Sequence, residues 1–271
     1  MGVPYAEVIG DPVAHSKSPL IHKFWLAKLG IPGDYRATRV TAEELPVYLE
    51  ARRADPDWRG CNVTMPLKRE ILNYADEQDA GAAHAGNCLV HTGRDLHVFN
   101  TDHHGVDEAL RETFHPVCVL GSGGAAHAAV SSLEVLASYD FRIVARNAAE
   151  AYTILAENGF DASVYDFPHA ADAMAGAEAV VNATPLGMSG FQAMPRSVLD
   201  GLAATQPNAL VFDMVYDPIE TALLSRAKEL RRRTVDGLVM LTGQATASFR
   251  LLFGAEAPRA HDAELRQLLL A

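Results

Sequence analysis

Val117-Cys118-Val119-Leu120 runs without interruption into Gly121-Ser122-Gly123-Gly124-Ala125-Ala126, and an Ala-rich stretch follows. Four apolar residues with no polar alternate are what a strand buried on both faces of a parallel sheet requires. Gly121-x-Gly123-x-x-Ala126, set between such a strand and a helix, is the dinucleotide fingerprint in its G-x-G-x-x-A form. Gly121 allows the tight turn, Gly123 lets the backbone approach a pyrophosphate, and Ala126 lets helix and strand pack closely. The helix start adds N–H donors and the positive end of its dipole. A Gly-rich turn without a ligand has the same letters; the strand before and the helix after favour the nucleotide.

Working outward, Phe141–Val144, Ala179–Val181 and Leu210–Phe212 repeat the buried-strand style, with helical segments between them. Residues 103–237 are therefore expected to form a Rossmann-type parallel-sheet domain. The first half differs. A strand at Tyr5–Ile9 closes on Gly10-Asp11-Pro12, and Ser18-Pro19 reads as an N-cap followed by Pro at the first helical position. A second strand at Tyr35–Val40 leads to Thr41-Ala42-Glu43-Glu44, a capping-box pattern. Cys61–Thr64 is a short strand, and Pro66 suits a following helix start. Asn87–His91 and Leu96–Phe99 read as two strands joined by a turn. Residues 1–102 are thus expected to be an α/β domain, with a helix pair within 238–271 (Leu238–Phe253, His261–Leu270) returning to it. The class is α/β with two domains.

Composition narrows the partners. The 271 residues carry 23 Lys plus Arg against 34 Asp plus Glu, a net charge of −11, which disfavours phosphate backbones and anionic lipid. No apolar run approaches the roughly 18 residues of a membrane span. Met1 to Pro12 has neither a basic start nor an apolar stretch, so no signal peptide is read. Cys61, Cys88 and Cys118 are odd in number and unclustered, which fits a reduced cytoplasm. Asp102, His103 and His104 are the candidate metal ligands, but no H-x-x-x-H or C-x-x-C spacing supports them and no metal is expected.

The strand after the fingerprint bears on which dinucleotide. It ends in Ala145-Arg146-Asn147 with no acid at its tip, and an Arg pairs with a 2′-phosphate that an acid would repel. This tilts the reading to NADP, with NAD possible because Glu150 follows one turn later; Arg146 is otherwise a surface charge. Two further loops, Asn182 to Met188 and Asp213 to Pro218, fall where strands meet helices, as ligand loops and ordinary turns both do. In the first half, Ser16 and Ser18 suit an anion at a helix start, or a plain cap. Lys68 sits at a strand-to-helix junction, where a solvated charge is the usual outcome. Asp102 offers a carboxylate after Asn100-Thr101.

Together these pieces closely resemble the shikimate dehydrogenase family. They are G-D-P-V-A-H-S-K-S-P (10–19), N-V-T-M-P-L-K (62–68), N-T-D (100–102), G-S-G-G-A-A (121–126), N-A-T-P-L-G-M (182–188), D-M-V-Y (213–216) and D-G-L-V-M-L-T-G-Q-A (236–245). The resemblance spans Tyr5 to about Gly254 in the family's order. It implies an NADP-dependent oxidoreductase that interconverts 3-dehydroshikimate and shikimate in aromatic amino acid and chorismate biosynthesis. Substrate lies on the N-terminal domain and cofactor on the Rossmann domain. Lys68 and Asp102 match the catalytic pair. Ser16 and Ser18 match the carboxylate site; Asn62, Thr64, Asn87, Asp102 and Gln244 match the surroundings of the ring hydroxyls, with Tyr216 lining the same pocket. On the cofactor side, Gly121, Ser122, Gly123, Gly124 and Ala125 match the pyrophosphate loop, and Arg146 and Asn147 the 2′-phosphate loop. Thr184, Met188, Met214 and Gly237 match the nicotinamide surroundings.

The sequence also departs from the family. Ala145-Arg146-Asn147 with Glu150 replaces an Asn-Arg-Thr run followed by a second basic residue. Gly86-Asn87-Cys88 replaces Val-Asn-Thr, Val239 replaces a common Gly, and His103-His104 follow Asp102. The alternatives are a paralogue acting on quinate or aminoshikimate with either nucleotide, and a nucleotide-sensing protein without turnover. Retention of both Lys68 and Asp102 argues against the sensor. The expected partner is a small ring acid, in a cytoplasmic monomer or homodimer.

Overall fold

Along the central strands of the second half, neighbouring residues enter two different cores. Val117, Val119, Ile143, Val181 and Phe212 pack on one side of the sheet, and Cys118, Leu120, Val144, Val180 and Val211 on the other. Side chains of a strand alternate between faces, so a sheet covered on both sides demands an unbroken apolar run. The computed structural model describes residues 2–82, 84–135, 140–157, 159 and 162–271. The chain divides into two compact units, Met1–Asp102 with Leu241–Ala271, and His103–Met240.

The first unit contains β1 (Tyr5–Gly10), α1 (Ser18–Leu29), β2 (Asp34–Arg39), α2 (Leu45–Arg53), β3 (Trp58–Val63), β4 (Glu77–Gln78), β5 (Cys88–His91) and β6 (Leu96–Phe99). Its sheet runs β2-β1-β3-β5-β6-β4. β1 pairs in parallel with β2 and β3, whereas β5 is antiparallel to β3 and β6. Tyr5 and Ile9 pack with Trp58 and Leu89 on one face, and Ala6 and Val8 with Tyr35 and Leu252 on the other. Glu7 is buried within β1. Burial alone would raise its carboxyl, but hydrogen bonds from Arg52, Thr38 and Tyr48 outweigh that and hold it low.

α3 (Asp102–Leu110) leads into the second unit. There follow β7 (Val117–Leu120), α4 (Gly124–Val135), β8 (Phe141–Val144), α5 (Ala148–Glu157), β9 (Ser163–Tyr165), α6 (Ala170–Met174), β10 (Ala179–Asn182), α7 (Arg196–Gly201), β11 (Leu210–Asp213), α8 (Ala222–Glu229) and β12 (Arg233–Val235). The sheet order is β12-β11-β10-β7-β8-β9, parallel throughout. Counted from β7 as first strand, this is the doubly wound order 3-2-1-4-5-6, whose direction reverses between β7 and β10. α9 (Gly237–Phe253) begins in the second unit and continues into the first, where α10 (Asp262–Leu270) follows. Among the described residues, no helix is long and apolar enough to cross a membrane.

Local signals translate unevenly. The Thr41–Glu44 capping box forms: the Thr41 N–H donates to Glu44 at 2.9 Å and the Glu44 N–H to the Thr41 hydroxyl at 3.3 Å. α1 starts one residue earlier than read, at Ser18, with Lys17 at its N-cap making no side-chain capping bond. Pro19 tolerates the shift because a first-turn residue needs no N–H. After Pro66 the chain makes only a turn and a 3₁₀ helix, Glu70–Tyr74, because Ala75 is already extended toward β4.

Candidate active site

In the first unit, three strand ends converge on one carboxylate. The turn after β3 is tied by the Thr64 N–H to the Ile9 carbonyl, and it delivers Lys68. Asn87 precedes β5, and Asp102 follows β6 as the first residue of α3. Lys68 Nζ donates to Asp102 Oδ2 at 2.5 Å, and Asn87 Nδ2 donates to Asp102 Oδ1 at 2.8 Å. The Asp102 side chain is 7% exposed and that of Lys68 21%, so the ammonium is the more accessible partner. Each carboxylate oxygen is engaged, and Lys68 keeps two N–H donors free of this pair. A held carboxylate beside a reachable ammonium suits proton donation to, or charge stabilisation of, an oxygen on a ligand.

The other candidates of this unit are placed as follows. Ser16 accepts from the Ser18 N–H at 3.3 Å at the start of α1. Thr64 is half-buried on the turn before Lys68. Gln244 lies on α9, nearly buried, and donates to the Leu241 carbonyl at 2.9 Å. Asn62 is buried; its amide donates to the Asn87 carbonyl at 3.0 Å and to Ser248 at 2.7 Å, and it accepts from Tyr35 at 2.7 Å. Both of its hydrogens are used internally.

In the second unit the fingerprint loop lies at the reversal of strand order. A Cβ on Gly121, at φ +115°, would meet the Thr184 methyl at 2.9 Å and the Ala183 carbonyl at 3.1 Å, so the loops after β7 and β10 need glycine to approach so closely. Around Gly123 a Cβ would meet nothing within 4 Å, which leaves its backbone open beside the start of α4, while Ala126 is fully buried. An open glycine backbone at a helix N-terminus fits a dinucleotide pyrophosphate.

Asn182 and Asp213 organise the neighbouring loops. Asn182 donates to Asp213 at 2.8 Å and accepts from the Thr184 N–H and hydroxyl. Asp213 is fully buried and also accepts from Thr221 at 2.7 Å and the Val215 N–H at 3.1 Å. Burial pushes its carboxyl up, only partly offset by those donors. Met188 is half-buried, and the Met214 N–H donates to the Asn182 carbonyl at 3.1 Å. Tyr216 is half-buried, and burial, with Asp217 adding to it, raises its phenol. At the strand tip after β8, Arg146 is exposed, and Asn147 accepts from the Glu150 N–H at 3.3 Å. The Ser122 hydroxyl donates to Glu150 at 3.0 Å.

Sequence reasoning gave no role to Tyr35, Ser248 or Thr221, and none to Thr101 or Asp213 beyond their place in the motifs at 100–102 and 213–216. Ser248 left one signal: a polar residue four positions after Gln244 and hence on the same helical face. Asp213 left another, an acid closing an otherwise apolar strand.

A relative from Sphingopyxis alaskensis named "Shikimate dehydrogenase (NADP(+))" is 43% identical over 99% of this chain and 97% of its own length. The chain belongs to the shikimate dehydrogenase family. A similarly named relative from Paracoccus denitrificans is 39% identical over 99% of this chain and 96% of its own length. The family's "Shikimate dehydrogenase substrate binding domain" profile matches residues 8–89, a span holding Ser16, Ser18, Asn62, Thr64, Lys68 and Asn87. The Mycobacterium tuberculosis shikimate dehydrogenase structure superposes with a TM-score of 0.83 at 35% identity, covering 98% of this chain and 99% of that one. The Thermus thermophilus shikimate 5-dehydrogenase, solved with NADP(H) and shikimate, gives 0.84 at 30% identity, covering 98% and 100%.

Proposed function

We propose that this shikimate dehydrogenase family member is an NADP-dependent oxidoreductase interconverting 3-dehydroshikimate and shikimate, a step of aromatic amino acid and chorismate biosynthesis. The observation that carries the reading is Lys68 held on Asp102, with Asn87 on the carboxylate's other oxygen. When bound, NADP(H) supplies or accepts the hydride. As negative charge develops on the substrate's carbonyl oxygen, Lys68 neutralises it and delivers a proton. Asp102 orients the ammonium and accepts from a ring hydroxyl. Ser16 and Ser18 hold the substrate carboxylate, while Thr64, Asn87 and Gln244 bind ring hydroxyls and Tyr216 lines the substrate pocket. Asn62, with both amide hydrogens used internally, supports this set chiefly by placement.

On the nucleotide, Gly121 to Ala125 cradle the pyrophosphate, Arg146 and Asn147 take the 2′-phosphate, and Thr184, Met188, Met214 and Gly237 border the nicotinamide. Residues 103–237 serve as the nucleotide domain and residues 1–102, with the C-terminal helices, as the substrate domain. The net charge of −11 suits a protein that leaves nucleic acid and anionic membrane alone, and we place it in the cytoplasm as a monomer or homodimer.

Steady-state kinetics with shikimate and quinate, each against NADP and NAD, test the reading. Shikimate with NADP is expected to give the highest kcat/KM. Absence of nucleotide reduction with shikimate in folded protein overturns it.

A further inference from the structure

Behind Asp102 a line of buried polar side chains extends into the first unit. Two backbone groups fix its direction. The Asn87 carbonyl only accepts, so the amide nitrogen of Asn62 faces it at 3.0 Å and the Asn62 oxygen faces the Tyr35 hydroxyl, which donates at 2.7 Å. At the other end the Thr101 N–H only donates, so the oxygen of Asn87 faces it at 2.6 Å and the Asn87 nitrogen faces Asp102. The intervening hydroxyls have one consistent arrangement. Ser248 accepts from Asn62 at 2.7 Å and donates to Thr101 at 2.9 Å, and the Thr101 hydroxyl donates to Asn87 at 3.1 Å.

Every donor therefore points the same way, from Tyr35 through Asn62, Ser248, Thr101 and Asn87 to the Asp102 carboxylate. Chains of this kind polarise one another, and a buried break leaves unpaired groups on both sides. The Tyr35 ring is itself clamped, stacked on buried His22 with centroids 4.1 Å apart and planes 3° apart.

We infer that Tyr35 and Ser248 are positioning residues for the Lys68–Asp102 pair: they hold the one-way hydrogen-bond chain that fixes the carboxylate on which Lys68 rests. Neither belongs to the groups assigned to substrate or nucleotide above. The inference rests on the proposed function for its kinetic consequence only, because the chain itself is a property of the fold.

The test compares wild type with Tyr35→Phe, Ser248→Ala and Ser248→Thr for kcat, KM and Tm, and follows the Asn87 side-chain amide by ¹H–¹⁵N NMR. Tyr35→Phe keeps the ring on His22 and removes only the hydroxyl; Ser248→Thr keeps a hydroxyl. Tyr35→Phe and Ser248→Ala are expected to lower kcat about 3- to 10-fold, the effect of one net hydrogen bond, with the shikimate KM within about twofold. Ser248→Thr is expected to restore kcat. The Asn87 amide resonances are expected to move in Tyr35→Phe, although that hydroxyl touches no atom of the Asn87 side chain. Lowered Tm with unchanged kcat overturns the inference while leaving the functional reading intact. If wild type turns over no shikimate, the functional reading falls, and unmoved Asn87 resonances then overturn the positioning claim independently.

Discussion

The Ser122 hydroxyl donates to the Glu150 carboxylate at 3.0 Å, which brings an acid from the first turn of α5 onto the loop assigned to the pyrophosphate. Arg146, four residues earlier, is exposed at the strand tip, where a 2′-phosphate would be read. On the proposed nucleotide site, cation and acid would therefore act in opposition, both screened by solvent. Arg146→Ala should remove most of the preference for NADP over NAD, a loss of about tenfold or more for one charge-assisted contact. Glu150→Arg should raise the preference. The ratio of kcat/KM for the two nucleotides in wild type and both variants checks this; a ratio indifferent to Arg146→Ala defeats it.

Lys68→Ala should lower kcat by about 10²–10⁴ while shifting the substrate KM far less, because in the proposed reaction the ammonium acts on charge that develops in the transition state. A kcat within a few-fold of wild type would move the role elsewhere.

Gly237→Ala tests a close approach. A Cβ there would lie 2.4 Å from the Met214 carbonyl oxygen and 2.6 Å from that of Val215, with no flexible side chain to yield. The start of α9 must then move away from the loop after β11. Overpacking of this kind costs about 1–3 kcal/mol, so Tm should fall and the KM for NADP should rise together. A fully wild-type Tm and KM would show that the backbone gives way freely.

What the sequence made readable follows from range. β7, β10 and β11 were legible because a strand covered on both faces is written as an apolar run, β8 because only Arg142 interrupts such a run, and the Thr41–Glu44 box because both partners lie within one turn. β9 and β12 were not. They are three-residue strands at the sheet's two edges, Ser163–Tyr165 and Arg233–Val235, without such a run. The one-way chain behind Asp102 was hidden for another reason: Asn62 and Ser248 are 186 residues apart, and no local pattern links them. Lys68 and Asp102, 34 residues apart, were paired through the family resemblance and not through spacing.

His22 gives the fold a pH dependence of definite sign. Its ring is fully buried between Tyr35, Trp25 and Phe249, and no hydrogen bond to either ring nitrogen exists among the described residues. Burial alone pulls the imidazole down to about 3. The unfolded chain takes up a proton near pH 6.5 and the folded chain does not, so the stability His22 confers is complete above about 6.5 and is lost as pH falls toward 3. At pH 5 the loss is about 2 kcal/mol from this group. His169, raised by its surface hydrogen bond to Asp166, works in the opposite direction but is common to both proteins compared. His22→Phe keeps an aromatic ring on Tyr35 and removes the titration. Its Tm should therefore fall less than that of wild type between pH 7 and pH 5, by several degrees. Parallel Tm curves for the two proteins across that interval would mean that His22 is protonated alike in the folded and unfolded chain, and that its burial carries no such penalty.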